Sequence, residues 1–415
     1  MSKAHSVKDQ NWFQDERFQN VFALLNADGG EARVAGGAVR NSLMGHDVAD
    51  VDIATTLLPS DVIERAEAEG MKAIPTGIDH GTVTLVNKAA TFEVTTLRED
   101  IETNGRHAEV RFGTDWQKDA KRRDLTINGL YADFDGNVID LVGGLDDIKS
   151  ANVRFIGDAE QRIKEDYLRV LRFFRFFAQY GKGRPDAEGL KASARAVSNL
   201  SQLSAERIWK EMRLLFGASD PSRALLWMRT TGVLTAIFPE TEKWGIDSIG
   251  PLIETRTVLG WDRDPLLVLE AIIPPDGDRI SEMAKRLKMS GKERDRLKNW
   301  AKTPKIAHEL AETALDRQIY RGSLSGIKDV LRLSLISARS RAEADDAAMI
   351  ESAGFSKLLA RAVNWSEPEF PLSGKDLIAH GINVGKDMGI KLKELEELWI
   401  ESNFNLSKSD LLEKL

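Results

Sequence analysis

The sequence predicts an α+β fold: a small mixed sheet with helices over residues 1–144, then an all-α remainder. Three observations carry this. Strand signals cluster before Gly144, at Ala32–Ala35 and in the alternating, β-branched runs Thr82–Asn87 and Thr91–Thr95. After Asp158 strand signals nearly vanish, and helical periodicity dominates to the end. Pro239, Pro251, Pro265, Pro274, Pro275 and Pro304 then punctuate helix boundaries. A chain of 415 residues suggests two to four domains, and 42% apolar residues suffice for a real core. Boundaries are drawn at 144, 235 and 330, giving segments 1–144, 145–235, 236–330 and 331–415.

Composition narrows the function classes. The absence of cysteine excludes disulfides and thiolate metal sites and agrees with a reducing cytosol. The N-terminus, MSKAHSVKDQNWFQDERF, carries no apolar run of signal-peptide type, and no later stretch is long enough to span a bilayer. A cytoplasmic protein without membrane or DNA partners is expected. A net charge of −7, from 58 basic against 65 acidic residues, argues against a chain basic all over. Local basic patches can still meet phosphate backbones.

In chain order, Asn11–Asn26 reads as one amphipathic helix, with Phe13, Phe18, Val21, Phe22 and Leu25 at helical spacing. Ala32–Ala35 is a strand entering Gly36 and Gly37, and a helix starts at Ala38. Asp50-Val51-Asp52 lies in a β-favouring segment. Ser60 reads as a helix N-cap, with Gly70 as the stop. Thr82–Asn87 and Thr91–Thr95, split by Lys88-Ala89-Ala90, form a hairpin. The charged stretch from Arg98 to Lys118 reads as a mobile loop with one strand, Glu109–Phe112. In the second half Glu165–Gln179 is the most informative helix, and Ser204 caps another, Ser204–Met212.

Chemistry concentrates in Ala35–Thr56. Side chains along a strand alternate faces, so Asp50 and Asp52 point the same way while Val51 and Ile53 point into a core. Two neighbouring carboxylates repel unless a cation sits between them, and hard oxygen ligands suit Mg2+. Gly36 and Gly37 let the backbone approach a ligand, and the following helix start offers N–H groups to an anion. On spacing alone, a solvated pair of surface carboxylates is the commoner outcome.

These residues resemble the nucleotidyltransferase signature of the polymerase-β superfamily, GGAVR followed by DxD. The wording is closest to the bacterial class II tRNA nucleotidyltransferase (CCA-adding) and poly(A) polymerase family. That family usually has Asp after VR, whereas this chain has Asn41. The resemblance runs from about Ala32 to Phe404. It implies a catalytic head over 1–144, a helical neck with a base-reading helix over 145–235, an RNA-binding helical body over 236–330 and a tRNA-binding helical tail over 331–415. IDHGTVTLV, Ile78–Val86, resembles the HGTVTV stretch of the CCA-adding branch, and Glu93 matches a third carboxylate near the metals. A half-exposed strand Glu is the plainer alternative for Glu93.

Two further motifs supply nucleotide contacts. In KDAKRRDLTINGL, Arg123 can fork onto phosphate, and Asp124 and Asn128, on one face of a helix, can take the ribose hydroxyls. Taken alone, these residues fit a solvated helix N-terminus with a capping Asp better; the family's RRDxxxN motif, matched letter for letter, favours the nucleotide reading. In EDYLRVLRFFRFFAQ, Asp166 and Arg169 lie at i and i+3, with Arg172 and Arg175 extending the stripe toward a triphosphate. An Asp acceptor beside an Arg donor complements the pairing edges of cytosine and adenine and mismatches those of guanine and uracil. The family's EDxxR motif is understood to act this way. The plainer alternative is a Glu165–Arg169 surface pair at i,i+4.

The resemblance therefore implies a template-independent enzyme that adds CCA to tRNA 3′ ends from CTP and ATP. It would use Mg2+ on Asp50 and Asp52, with Glu93 as ligand or base. Phosphate would be held by Gly36, Gly37, Arg40, Arg123, Arg172 and Arg175, ribose by Asp124 and Asn128, and base by Asp166 and Arg169. Ser204–Met212 resembles a buttressing helix. Lys285, Arg286, Lys288, Lys292, Arg294, Arg296 and Lys298 form a basic run that reads as an RNA phosphate contact in an otherwise acidic chain. A charge run is also commonly a solvated face. Gly374, Gly381, Gly385 and Gly389 suggest tight turns between short helices in a tail that meets the tRNA elbow. Rival readings are a poly(A) polymerase, a CC- or A-adding enzyme on the same fold, and a non-catalytic RNA-binding protein.

Overall fold

The computed structural model describes residues 5–103, 108–242 and 244–415. The chain divides into two compact units, Met1–Pro239 and Glu240–Leu415.

The first unit is built on a seven-stranded mixed sheet in the order β3-β4-β5-β2-β1-β8-β9. Its strands are β1 (Ala32–Ala35), β2 (Asp52–Thr55), β3 (Lys72–Gly77), β4 (Thr82–Asn87), β5 (Ala90–Thr96), β8 (Leu130–Ala132) and β9 (Val138–Asp140). Strands β6 (Arg98–Thr103) and β7 (Ala108–Phe112) form a separate antiparallel pair. The Arg98–Lys118 stretch therefore contains two strands rather than one, and residues 104–107 lie outside the described residues. The β4–β5 hairpin closes through Lys88 and Ala89, both at positive φ, the two-residue turn whose twist suits a hairpin.

Both faces of the sheet are covered. Val34, Ile53, Val83, Leu85 and Val94 join Phe18, Phe22 and Leu25 of helix Glu16–Leu25, Val39 of helix Gly37–Met44 and Val62 of helix Pro59–Ala68 in one core. Ala35, Ala54 and Leu97 face the other way, onto Trp116 and Ala120 of helix Trp116–Arg122 and onto Tyr131. The alternation of β2 thus sends Ile53 into one core and leaves Asp52 on the opposite face, beyond Ala54.

Three local expectations differ. Asn11–Asn26 is two helices, Asn11–Gln14 and Glu16–Leu25, because Asp15 is extended and accepts from the Arg17 N–H at 2.8 Å, capping the second. Helix Pro59–Ala68 starts on Pro59 rather than being capped by Ser60, since proline's fixed φ and missing N–H suit the first helical position. Asp50 precedes β2, which begins at Asp52; its exposure still alternates with half-buried Val51 and buried Ile53.

The rest of the first unit is helical. Helix Leu168–Tyr180 buries Leu168, Leu171, Phe174 and Phe177, the expected stripe, together with Val170, Phe173 and Phe176. It packs against helix Ala205–Phe216. The segments expected as 1–144 and 145–235 lie together in this unit.

The second unit is helical throughout its described residues. The expected boundary at 330 falls inside helix Leu324–Arg341, because Ile327, Leu331 and Leu335 share one apolar cluster with Leu315 before it and Phe355 and Leu358 after it. A separate cluster, including Leu377, Leu395, Trp399 and Leu411, holds the C-terminal part. Gly381 turns the chain at φ 86°, but Gly389 lies within the 16-residue helix Lys386–Glu401, so that region is not a set of short helices. No helix of the described residues is long and apolar enough to cross a membrane.

Candidate active site

A cavity of about 820 Å³ opens in the first unit. It is lined by Gly36, Gly37, Asp50, Asp52, Arg123, Asp124, Asn128, Asp166, Arg169, Arg172 and Arg175, with Arg40 at its wall. Residues from three stretches of sequence, spread over some 140 positions, thereby meet in one place.

The sheet supplies the carboxylates. Asp52 and Glu93 stand directly opposite on the parallel strands β2 and β5, and neighbours in that relation project to the same face. Burial pushes the Asp52 carboxyl above the usual carboxylate range against the pull of Arg123, and Asp50 pushes it the same way. Burial, then the charges of Asp52 and Asp50, raise Glu93. Among the described residues no hydrogen bond or salt bridge engages Asp50, Asp52 or Glu93. Their mutual repulsion is offset only in part, by the charge of Arg123, and a bound cation would relieve the rest. No three His, Cys, Asp or Glu side chains among the described residues are grouped closely enough to hold an ion by themselves. Glu93 opens into a smaller adjoining cavity of about 230 Å³ with Thr82, Thr95 and Arg98; Asp52, Arg122 and Arg123 line both cavities.

Above the carboxylates, Gly36 sits at φ 66° as the residue before helix Gly37–Met44. A Cβ there would meet the Asn128 carbonyl oxygen at 3.2 Å and Arg123 Nη1 at 3.5 Å. Glycine is needed both for the backbone angle and for the close approach of Asn128 and Arg123.

Arg123 and Asp124 are not on one helix with Asn128. Helix Trp116–Arg122 ends, and Asn128 belongs to a 3₁₀ turn, Thr126–Asn128. The turn brings the pair together nonetheless: Asn128 Nδ2 donates to Asp124 Oδ1 at 3.1 Å. Asp124 also accepts from the Leu125 N–H at 2.8 Å and, on Oδ2, from Arg172 Nε at 2.6 Å. Burial would raise its carboxyl, but the Arg172 charge and these hydrogen bonds outweigh it and hold it down at about 2. Arg123 is gripped by Asp119 Oδ2 at 3.1 Å and by Tyr131, whose hydroxyl donates to the same carboxylate at 2.6 Å. Burial works against that guanidinium's charge, and Tyr131 and Asp119 overcome it.

The Glu165–Gln179 stretch is likewise broken. Helix Ala159–Glu165 ends, Asp166 is extended at φ −155°, and helix Leu168–Tyr180 begins beyond it. Asp166 Oδ1 accepts from the Leu168 N–H at 3.1 Å, the competition by which a short acidic side chain interrupts a helix. Its other oxygen lies 2.5 Å from Arg207 Nη2. Arg169 is paired with Glu165 at 2.5 Å, so the simple i,i+4 pair does form, and it also donates to the Arg162 carbonyl at 2.9 Å. Arg175 Nε lies 2.5 Å from Glu211 Oε2, and Arg172 Nη1 lies 3.8 Å from Glu211 Oε1.

Arg40, expected to hold phosphate, is buried and occupied. Its Nε and Nη2 donate to Asn41 Oδ1 at 3.1 and 2.9 Å, Nη2 also to the Tyr180 hydroxyl at 2.9 Å, and Nη1 to Asn128 Oδ1. A guanidinium committed on all three nitrogens is a support for Asn128 before it is a phosphate ligand.

Helix Ala205–Phe216, expected to be a buttress only, lines the cavity with Arg207, Lys210 and Glu211. The sequence signal was the i,i+4 spacing of Arg207 and buried Glu211. Asp119, four residues before Arg123, carried the same signal.

In the second unit, Lys285, Arg286, Lys288, Lys292 and Arg294 are exposed and Lys298 is half-buried. Arg286 pairs with Glu240 at 2.9 Å and Arg294 with Asp295 at 2.9 Å. Arg296 does not belong with them: it bridges Asp264 at 2.5 Å and buried Asp329 at 2.8 Å, holding helices Gly291–Lys302 and Leu324–Arg341 together.

Residues 32–154 match the family model of the poly A polymerase head domain, and residues 185–244 match the probable RNA and SrmB-binding site of polymerase A. The chain is 35% identical to CCA tRNA nucleotidyltransferase 1, mitochondrial, of Mus musculus over 99% of its own length and 92% of that protein. It is 39% identical over 222 residues to the CCA-adding enzyme of Geobacillus stearothermophilus, covering 53% of each. Among solved structures, the Bacillus stearothermophilus CCA-adding enzyme in complex with CTP superposes with a TM-score of 0.68 at 25% identity, over 96% of both chains.

Proposed function

The chain belongs to the CCA tRNA nucleotidyltransferase family, and from that premise we propose how it adds CCA to tRNA 3′ ends from CTP and ATP. The observation that carries the proposal is the single cavity in which Asp50 and Asp52, the glycine turn, the Asp124–Asn128 pair and the Asp166–Arg169 pair converge, with Glu93 in the cavity that adjoins it.

In each addition the terminal 3′-oxygen of the tRNA bonds to the α-phosphorus of the nucleotide. The bond from that phosphorus to the bridging oxygen breaks, and pyrophosphate leaves. Asp50 and Asp52, together with substrate phosphate, would hold a divalent cation, Mg2+ by the hardness of these donors, and such an ion supplies charge neutralisation at the reacting phosphorus. Glu93, raised by burial and then by the charges of Asp52 and Asp50, accepts the hydroxyl proton. Gly36 and Gly37 let the phosphates approach the N–H groups that open helix Gly37–Met44. Arg123, held by Asp119 and Tyr131, presents fixed positive charge beside them.

Asp124 and Asn128 take the ribose hydroxyls. Asp166 and Arg169 read the base as acceptor and donor, favouring cytosine and adenine. Their partners, Arg207 and Glu165, hold both side chains in place, which makes a rigid template in protein rather than in nucleic acid. Arg172 and Arg175 reach the triphosphate from Asp124 and Glu211. The exposed cations Lys285, Arg286, Lys288, Lys292 and Arg294, with half-buried Lys298 and without Arg296, meet tRNA phosphates, and residues 331–415 meet its elbow. The division into catalytic head, neck, body and tail follows the same reading, as does a cytoplasmic site of action, which cell fractionation checks.

The test is direct. Transfer RNA lacking its 3′ end is incubated with each labelled nucleotide and Mg2+, and the product is sequenced. Addition of C, C and A is expected. A long A tail, addition of CC or A alone, or no addition would each replace this reading with a different activity.

A further inference from the structure

Asn41 and Tyr180 lie outside every role assigned above, yet both touch the one buried cation that supports Asn128. Asn41 follows Arg40 on helix Gly37–Met44, and Tyr180 ends helix Leu168–Tyr180, about 140 residues away in sequence. The Tyr180 hydroxyl accepts from Arg40 Nη2 at 2.9 Å and donates to Asn41 Oδ1 at 3.1 Å. Its ring lies 4.3 Å from the Arg40 guanidinium carbon, a cation–π contact. Asn41 Nδ2 donates to the Asp47 carbonyl at 2.9 Å, in the loop that leads to Asp50.

The geometry follows from what an amide can do. A carboxylate after Arg40 would offer two oxygens to Nε and Nη2. An amide offers one, and here it serves both nitrogens. The Tyr180 hydroxyl supplies the second acceptor. The freed amide nitrogen ties down the Asp47 loop, which a carboxylate cannot do. With Nε and Nη2 fixed, Nη1 is aimed at Asn128 Oδ1. That commits the Asn128 carbonyl and turns its Nδ2 toward Asp124.

We infer that Asn41 and Tyr180 are positioning residues for sugar selection: they clamp Arg40, and through it set the orientation of the Asn128 amide that distinguishes ribonucleotides from deoxyribonucleotides. The inference rests on the reading of Asp124 and Asn128 as the ribose contacts.

The experiment compares kcat/KM for CTP and dCTP in single additions to tRNA lacking its 3′ end. In Tyr180→Phe the ring stays and both hydrogen bonds of the hydroxyl go, so the CTP to dCTP preference falls about five- to tenfold, mostly through a higher KM for CTP. Adding Asn41→Asp to Tyr180→Phe restores the preference, because a carboxylate needs no phenol to occupy Nε and Nη2. Asn128→Ala calibrates the assay. If it leaves the preference unchanged, the ribose reading fails and the clamp with it. If it abolishes the preference while Tyr180→Phe slows CTP and dCTP by the same factor, the ribose reading stands and the clamp is overturned.

Discussion

Replacing Asp124 by Asn removes one charge and keeps the shape. In the native protein Asp124 is 8% exposed and receives hydrogen bonds from Leu125, Asn128 and Arg172. Its carboxyl lies at about 2 against an ordinary 3.8, a difference worth about 2 kcal/mol of folding free energy at neutral pH. Losing the partner of a largely buried cation costs roughly 3 kcal/mol or more, and the one-third exposure of the Arg172 side chain brings that down to about 2 kcal/mol as well. Asp124→Asn is therefore expected to lower stability by about 2 kcal/mol at pH 7.

The pH dependence separates this cause from a packing defect. Because the folded-state value is depressed, the native stabilisation is complete above the unfolded value of 3.8 and is lost as pH falls toward 2. At pH 3 about half is gone, so the gap between Asp124→Asn and the native protein should narrow to about 1 kcal/mol. Urea denaturation at both pH values, followed by circular dichroism, measures the gap. A constant gap, or one below about 0.5 kcal/mol at pH 7, would refute the assignment of this carboxylate as the charged partner of Arg172.

Asp52→Ala is expected to abolish nucleotide transfer while leaving the denaturation midpoint within experimental error, since no bond to Asp52 is lost; retention of most activity would rule out its catalytic assignment. Asp166→Ala should lose rejection of UTP and GTP before it loses turnover of CTP, and Arg207→Ala should shift the same ratio more weakly by freeing Asp166; unaltered selectivity in both would dismiss the protein template. Arg296→Ala should destabilise the second unit by about 3 kcal/mol, because Asp329 is 1% exposed and loses its closest cation. Unchanged stability with weakened tRNA binding would return Arg296 to the RNA-contacting run.

The two halves of the fold were legible because periodicity changes where the architecture does. Alternation in Thr82–Asn87 and the apolar stripe of Leu168, Leu171, Phe174 and Phe177 are consequences of a two-sided strand and a one-sided helix, and each is written in neighbouring residues. The breaks were less legible. Asp15 and Asp166 each interrupt a helix by accepting a backbone N–H two residues on, which competes with a helical pattern that otherwise runs straight through. Pairing partners were least legible. Asp119 with Arg123 sits within one helical turn, but Asp166 with Arg207, Asp124 with Arg172 and Arg175 with Glu211 span 36 to 48 positions.

By itself the sequence determined the kinds of chemistry available: which short stretches carry carboxylates, glycines and arginines at spacings that local geometry turns into faces. Only the tertiary structure decided how those groups are used. It paired Arg40 and Arg296 with side chains of the protein itself, set the Asn41 amide between Arg40 and Tyr180, and placed Glu93 beside Asp52 across parallel strands. The reason is that spacing fixes direction along one element, whereas the partner of a charge depends on how two elements cross, and that crossing is decided by the apolar residues packed beneath them.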